Sequence, residues 1–215
     1  MFRLEDYLFY NQDYCFLCKE EKALKLICKN CYDSLELING EFNLDNGKCY
    51  YPLFYNNFIK RLISDYKFSK KTYLSKPFAL LMYNLIKDRK LASKIDYITY
   101  IPMDSLSEYR RGFNQAQLLA QELSTLLDIP LLDILYKNRR TKEQNKISFD
   151  QRKTNLEASF SLLKDCNISN KIVLLIDDLI TTGTTMEEAI KTIELLDGLE
   201  VIGLVLASSR IEEEV

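Results

Sequence analysis

The chain has 215 residues, 47% hydrophobic and 28% charged, enough to bury one α/β core with room for a small accessory module. Its 29 basic and 31 acidic residues leave a net charge of −2, so no global field draws it to nucleic acid or a membrane, and any DNA contact must rest on a local patch. The absence of histidine removes imidazole as base, metal ligand or pH switch and excludes Ser-His-Asp and Cys-His catalysis, leaving carboxylates, lysines, bound metal and the substrate's own groups.

In chain order, the first chemistry lies in Cys15-x-x-Cys18 and Cys28-x-x-Cys31. Two such knuckles can wrap four thiolates around Zn²⁺ at Zn–S distances of ~2.3 Å. A redox Cys-x-x-Cys needs no second copy so close, and disulfides do not suit a cytoplasmic chain. With all four positions taken by protein, the zinc has no open site for chemistry and serves to fold a segment too short for its own core. The expected division is a zinc module over 1–48 and a second domain over 49–215. Cys49 and Cys166 read as small, buried or half-buried apolar residues.

Cys49 to Tyr55 reads as a short strand, followed by Phe58, Leu62, Ile63 and Tyr66 at helical spacing. A second helix is predicted from about Tyr73 to Lys87, with Pro77 in its first turns. Lys60, Arg61, Lys67, Lys70 and Lys71, interleaved with Tyr and Phe, read either as a solvated helix face or as a single-strand nucleic-acid surface, the first being the plainer. Asp96 to Ile101 reads as a strand stopped by Pro102. The loop after it carries Arg110, Arg111 and Gly112, and a helix capped by Asn114 runs to about Leu127, with Leu118, Leu119, Leu123 and Leu126 toward the core. Two guanidinium forks beside a strand end and before a helix start suit pyrophosphate better than a plain surface loop does. Tyr136 to Lys153 is long and polar for an internal connection, a functional loop or a disordered one, in which Arg139, Arg140, Lys142 and Lys146 can close over a bound anion.

The most informative segment is Lys171 to Met186: an apolar strand from Ile172 to Ile176, the acids Asp177 and Asp178 at its end, then Leu179 and the loop Thr181-Thr-Gly-Thr-Thr185 opening a helix. A loop at the carboxyl end of a buried parallel strand stands where open α/β sheets bind ligands. Its hydroxyls and N–H groups, the freedom of Gly183 and the helix start suit a phosphate monoester. The two carboxylates suit vicinal ribose hydroxyls or hydrated Mg²⁺. Taken alone, Thr-Thr-Gly-Thr is equally a helix cap or turn. Two acids against so apolar a strand are harder to explain without a counter-charge or ligand. No Lys follows the glycine as in a Walker A loop, and no Gly-x-Gly-x-x-Gly follows a predicted strand.

This stretch resembles the phosphoribosyl pyrophosphate (PRPP) loop of type I phosphoribosyltransferases, which implies a mostly parallel sheet flanked by helices. It implies too that Asp177 and Asp178 hold the ribose hydroxyls, Thr181, Thr182, Gly183, Thr184 and Thr185 hold the 5′-phosphate, Leu179 is among the PRPP-binding residues, and Mg²⁺ accompanies PRPP. The block Arg110-Arg-Gly-Phe-Asn-Gln115, the segment Asp65-Tyr-Lys-Phe-Ser-Lys70, the four cysteines, and the spaced Arg139, Thr141, Gln144, Ile147, Arg152, Asn155 and Phe160 narrow the resemblance to the ComF family of competence-associated proteins, GntX-like members included. One departure is Ile147, where the family has leucine. The resemblance implies a role in DNA uptake during natural transformation, with single-stranded DNA and a competence helicase or other DNA-processing protein as partners. It also implies a mobile lid in which Arg139, Arg140, Lys142 and Arg152 take part. An active phosphoribosyltransferase of nucleotide metabolism or salvage is the alternative; no acceptor pocket or catalytic residue is identifiable. No signal-peptide pattern opens the chain and no apolar run approaches the ~18 residues that span a bilayer, so a cytoplasmic protein without membrane insertion is expected.

Overall fold

A computed structural model of the protein describes residues 14–23, 26–138, 159–163 and 168–209. They form helices α1 (Lys29–Asp33), α2 (Asn57–Phe68), α3 (Ser75–Asp88), α4 (Ser105–Arg111), α5 (Gln115–Leu127) and α6 (Thr184–Ile193). The strands are β1 (Leu37–Leu44), β2 (Gly47–Phe54), β3 (Tyr97–Tyr100), β4 (Leu135–Lys137), β5 (Phe160–Leu162), β6 (Ile172–Ile180) and β7 (Glu200–Ser208). Five strands make the main sheet in the order β1-β2-β7-β6-β3, and β4 and β5 form a separate antiparallel pair. Only β1 runs antiparallel to its neighbour; β2 with β7, β7 with β6, and β6 with β3 are parallel.

The residues explain this arrangement. The β6 run from Val173 to Ile176 is buried throughout, as a parallel strand covered on both faces requires. Successive side chains alternate between layers: Leu174 and Ile176 join the apolar cluster of α2, α3 and α5, whereas Val173 and Leu175 join that of α6. On the first face Ile59, Leu62, Ile63 and Tyr66 of α2 meet Phe78, Leu81, Met82 and Leu85 of α3 and Leu119 and Leu123 of α5. On the second, Met186, Ala189, Ile190 and Ile193 of α6 are the buried stripe.

Four local expectations change. β6 continues through both acids to Ile180, because Asp177 pairs with Val205, Leu179 with Ala207 and Ile180 with Ser208 across to β7. Arg110 and Arg111 lie in the last turn of α4, not in a loop: Asp104 accepts from Ser107 N at 2.9 Å to start that helix, and Gly112 ends it at φ 85°. Leu126 is exposed rather than turned to the core. The edge strand β1 lies inside residues 1–48, so part of the segment assigned to the zinc module is built into the main sheet. Among the described residues no helix is long and apolar enough to cross a membrane.

Candidate functional site

The block Arg110-Arg-Gly-Phe-Asn-Gln115 acquires a separate physical task at each position. Gly112 supplies the left-handed turn between α4 and α5. Phe113 packs on Tyr66, with ring centroids 5.9 Å apart. Asn114 Oδ1 accepts from Ala116 N at 2.9 Å and Gln117 N at 3.3 Å, capping α5, while its Nδ2 donates to Ile101 O at 3.0 Å and ties that cap to the end of β3. This anchoring aims Arg111 and Gln115 into a cleft of about 220 Å³, whose other walls include Lys67, Asp104, Lys137, Asp177, Asp178 and Thr185. Arg111 Nη1 donates to Gln115 Oε1 at 2.8 Å, and its guanidinium covers the Phe68 ring at 5.2 Å. Arg110 is exposed and does not line the cleft.

The acid pair lines the same cleft. Asp178 N donates to Asp177 Oδ1 at 2.8 Å, and Asp178 Oδ2 lies 2.8 Å from Lys67 Nζ. That approach is a close ion pair, and the buried oxygen has no other partner among the described residues. Burial first, and the neighbouring Asp178 charge second, push the Asp177 carboxyl up to about 7, against the pull of Lys67 and Lys137. The counter-charge that a buried Asp178 beside a half-buried Asp177 demands therefore comes from α2, within the Asp65-Tyr-Lys-Phe-Ser-Lys70 segment. Tyr66 holds that helix in place, its hydroxyl donating to Gln115 O at 3.0 Å and its ring meeting Phe78 edge-on at 5.6 Å.

Beyond the acids, Leu179, Thr181, Thr182, Gly183 and Thr185 line a smaller hollow of about 40 Å³, and Asp177 borders both cavities. Gly183 stands at the N-cap of α6 with φ 90°, a conformation strained for any other residue. It offers no side-chain cap, so the first N–H groups of α6 are left for an anion. Thr182 Oγ1 and Thr184 Oγ1 lie 3.2 Å apart beside them. Thus Asp177, Asp178, the 179–185 loop and Arg111 converge, whereas Arg110 does not. Arg139, Arg140, Lys142 and Arg152 lie outside the described residues, as do Lys146 and Cys166. The β4–β5 pair forms a stem from which that segment leaves and to which it returns.

Sequence reasoning missed Lys67, Lys137 and Gln115 as cleft residues. A signal for Lys67 was present: an uncompensated acid pair requires a cation, and the basic α2 segment contains one between two aromatics. Lys137 and Gln115 had none, because only the folded chain brings them to the acids.

The cysteine cluster passes a geometric test for a metal. The sulfurs of Cys15, Cys18, Cys28 and Cys31 all lie within 4.8 Å of one another, and Cys18 Sγ is 3.9 Å from Cys28 Sγ. A tetrahedron with Zn–S of ~2.3 Å has S···S edges of about 3.8 Å. N–H groups of Leu17, Glu20 and Cys31 point at Cys15, Cys18 and Cys28 sulfur at 3.4–3.5 Å. Burial pushes the Cys28 thiol up to about 11 and raises Cys31 as well; at Cys15 backbone N–H groups outweigh burial and bring it down to about 7. Four thiolates this close need a cation among them, so the cluster can hold a metal such as zinc.

Comparison with known proteins agrees with the reading of the sheet domain. The sequence profile of the phosphoribosyl transferase domain matches residues 109–215. The chain is 35% identical to "Competence protein F" of Haemophilus influenzae, over 68% of this chain and 67% of that one. It is 30% identical to "DNA utilization protein YhgH" of Escherichia coli over 60% of this chain and 58% of that one, and 27% identical to "Competence protein ComFC" of Bacillus subtilis over 81% and 69%. With a type I phosphoribosyltransferase domain, four clustered cysteines, and that degree of identity to competence protein F, the chain belongs to the ComF family.

Proposed function

We propose that this protein binds PRPP with Mg²⁺ in the cleft between β6, α4 and α5, and that it acts in the cytoplasm in the handling of DNA taken up during natural transformation. The observation that carries the first part is the uncapped start of α6 at Gly183, directly beyond a carboxylate pair whose Asp177 borders both this hollow and the cleft that Arg111 lines. A 5′-phosphate fits the N–H groups of the loop and the hydroxyls of Thr181, Thr182, Thr184 and Thr185. Ribose hydroxyls donate to Asp177 and Asp178, and the pyrophosphate faces Arg111, with Lys67 and Lys137 adding positive charge. Mg²⁺ carried in with the ligand neutralises pyrophosphate charge, and the acid pair is the oxygen donor set the chain offers it. Zinc in the four-cysteine cluster is structural, and the cysteine segment with α1 is a docking module for single-stranded DNA or a protein partner such as a helicase. The part in DNA uptake is supported by the competence and DNA-utilization names of the relatives.

One titration series tests the ligand: PRPP with Mg²⁺ gives saturable heat in the wild type and none in Asp177→Ala/Asp178→Ala. Pyrophosphate release measured in parallel, with and without nucleobases, distinguishes turnover at the anomeric carbon from binding alone. Cells lacking the chain, complemented with the double variant, then report on transformation; wild-type transformation frequency would separate the DNA role from the sugar site.

A further inference from the structure

One carboxylate of the cleft has no part in the sugar-phosphate reading. Asp104 lines the same cavity as Asp177 and Asp178 but reaches it from β3. Ile101 N donates to Ile176 O at 2.9 Å, so the chain leaves β3 beside the point at which β6 presents its acids. Pro102 and Met103 follow on the cleft wall, and Asp104 then starts α4, its Oδ1 accepting from Ser107 N at 2.9 Å. The Ser107 hydroxyl and N–H, helped by the Lys137 charge, hold the Asp104 carboxyl below the usual carboxylate range. A carboxylate has about four lone-pair sites, so these bonds leave acceptor capacity for the cavity that Asp104 lines. The helix then sets a distance. Residues 104, 107 and 111 are the face that α4 turns to the cleft, which puts Asp104 and Arg111 at its two ends. At a rise of ~1.5 Å per residue they stand about 10 Å apart along the axis. A displacement in line has a similar length: a nucleophile about 3 Å from the carbon it attacks, with a hydrogen bond of about 2.8 Å to it and another to the leaving oxygen.

We propose that the cleft hydrolyses its sugar ligand at the anomeric carbon, with Asp104 the catalytic residue that accepts the proton of the attacking water. This rests on the sugar-phosphate reading of the 179–185 loop and goes beyond it, from binding to turnover. With the pyrophosphate at Arg111 and the ring hydroxyls on Asp177 and Asp178, Asp104 lies at the other end of α4 from the leaving group, where an in-line nucleophile enters. The water oxygen forms a bond to C1 as the C1–O bond to pyrophosphate breaks. The electron pair of the broken bond stays on pyrophosphate, beside the guanidinium, and one water proton passes to Asp104 and then to solvent. The products are ribose 5-phosphate and pyrophosphate. A carboxylate that stays ionised suits water in particular, because the protons of water become strongly acidic only once its oxygen bonds to carbon, and a weak base can then take one.

The test incubates the full-length chain with PRPP and Mg²⁺, no other acceptor added, and measures pyrophosphate and ribose 5-phosphate together against a protein-free control. The wild type is expected to release both in equal amounts above that control. Asp104→Asn keeps a capping side chain but cannot take the proton, so kcat should fall by about a hundredfold with melting unchanged. Its PRPP affinity, read by calorimetry, should weaken by less than about twofold, since the lost contact is made to the nucleophile and not to the ligand. Asp104→Ser, a second capping residue without a carboxylate, should lose as much and stands in where the first variant does not fold. Release that needs an added nucleobase, an Asp104→Asn rate equal to the wild type, or binding without any release overturns the proposal and leaves Asp104 as the cap of α4. A wild type that shows no calorimetric binding is a separate result, one that rejects the sugar-phosphate reading and the hydrolysis together.

Discussion

The cysteine segment and the sheet are held together by opposite means. Among the described residues, the apolar cluster at Cys15, Cys28 and Cys31 has Leu17, Cys18, Ala23 and Ile27 at its edge, a much smaller core than either face of the sheet. It leans on the larger body through Phe16, edge-on to Tyr73 at 6.3 Å, and Lys19 over the same ring at 3.9 Å. The sheet has a large apolar cluster on each face. A region held by a core can carry a costly polar site at its edge, whereas a region that a metal on four thiolates would hold has no stability to spare for one. On the proposed function, that is a physical reason for the ligand to be met at the ends of β3 and β6 and not at the cysteines.

The comparison breaks most readily at the metal. Cys31→Ser should lose the ion and with it most of a binding energy that reaches about 10–16 kcal/mol in small structural zinc sites. Metal analysis by mass spectrometry should fall from one ion per chain to none, with PRPP heat retained by the sheet domain; an ion still bound would reject the four-cysteine assignment. In the sheet domain the corresponding weak point is Lys67. Lys67→Met leaves Asp178 buried without its counter-charge and should cost about 3–5 kcal/mol, with much of the loss recovered in Lys67→Met/Asp178→Asn. Denaturant melts of the three proteins decide it, and equal destabilisation of single and double variants would mean that the pair is not coupled.

Thr182→Glu puts a carboxylate at the mouth of the small hollow, where it repels a phosphate and competes for the N–H groups of α6. Loss of PRPP affinity by about a hundredfold, roughly 3 kcal/mol, is expected with little change in melting. Unchanged affinity would make the loop a helix cap and nothing more.

The smallest expected effect is a pH dependence. Asp177 has its carboxyl raised from 3.8 to about 7 in the fold, so the folded chain holds a proton that the unfolded chain releases. Its stabilising contribution is therefore greatest at low pH and is lost as pH rises through the folded value. The ligand-free protein should lose about 1 kcal/mol between roughly pH 6 and 8 from this group. Asp177→Asn should flatten that part of the profile in thermal melts, and a variant as steep as the wild type would place the titration elsewhere.

Much of the site was legible because its parts are contiguous. The β6 run, the acids and the Thr-Thr-Gly-Thr-Thr loop occupy one stretch of chain, so strand burial, anion chemistry and glycine freedom could be read in order. Asn114 as the cap of α5 and Pro77 in the first turn of α3 were legible for the same reason, since caps are local. What failed was non-local or short. A helix of seven residues such as α4 gives too few turns for a period to show, so Arg110 and Arg111 read as loop. β1 has the pattern of a solvent-facing edge and acquires its identity only by pairing with β2.

By itself, the sequence determined the kind of chemistry: four thiolates in two knuckles, a carboxylate pair, and a glycine-broken hydroxyl loop, with imidazole chemistry ruled out. Only the tertiary structure decided which cations answer the acids, choosing Lys67 and Lys137 beside Arg111 and turning Arg110 away. The reason is that residue type and local spacing fix what a group can do, whereas charge compensation acts through space, between elements that the chain separates and the core brings together.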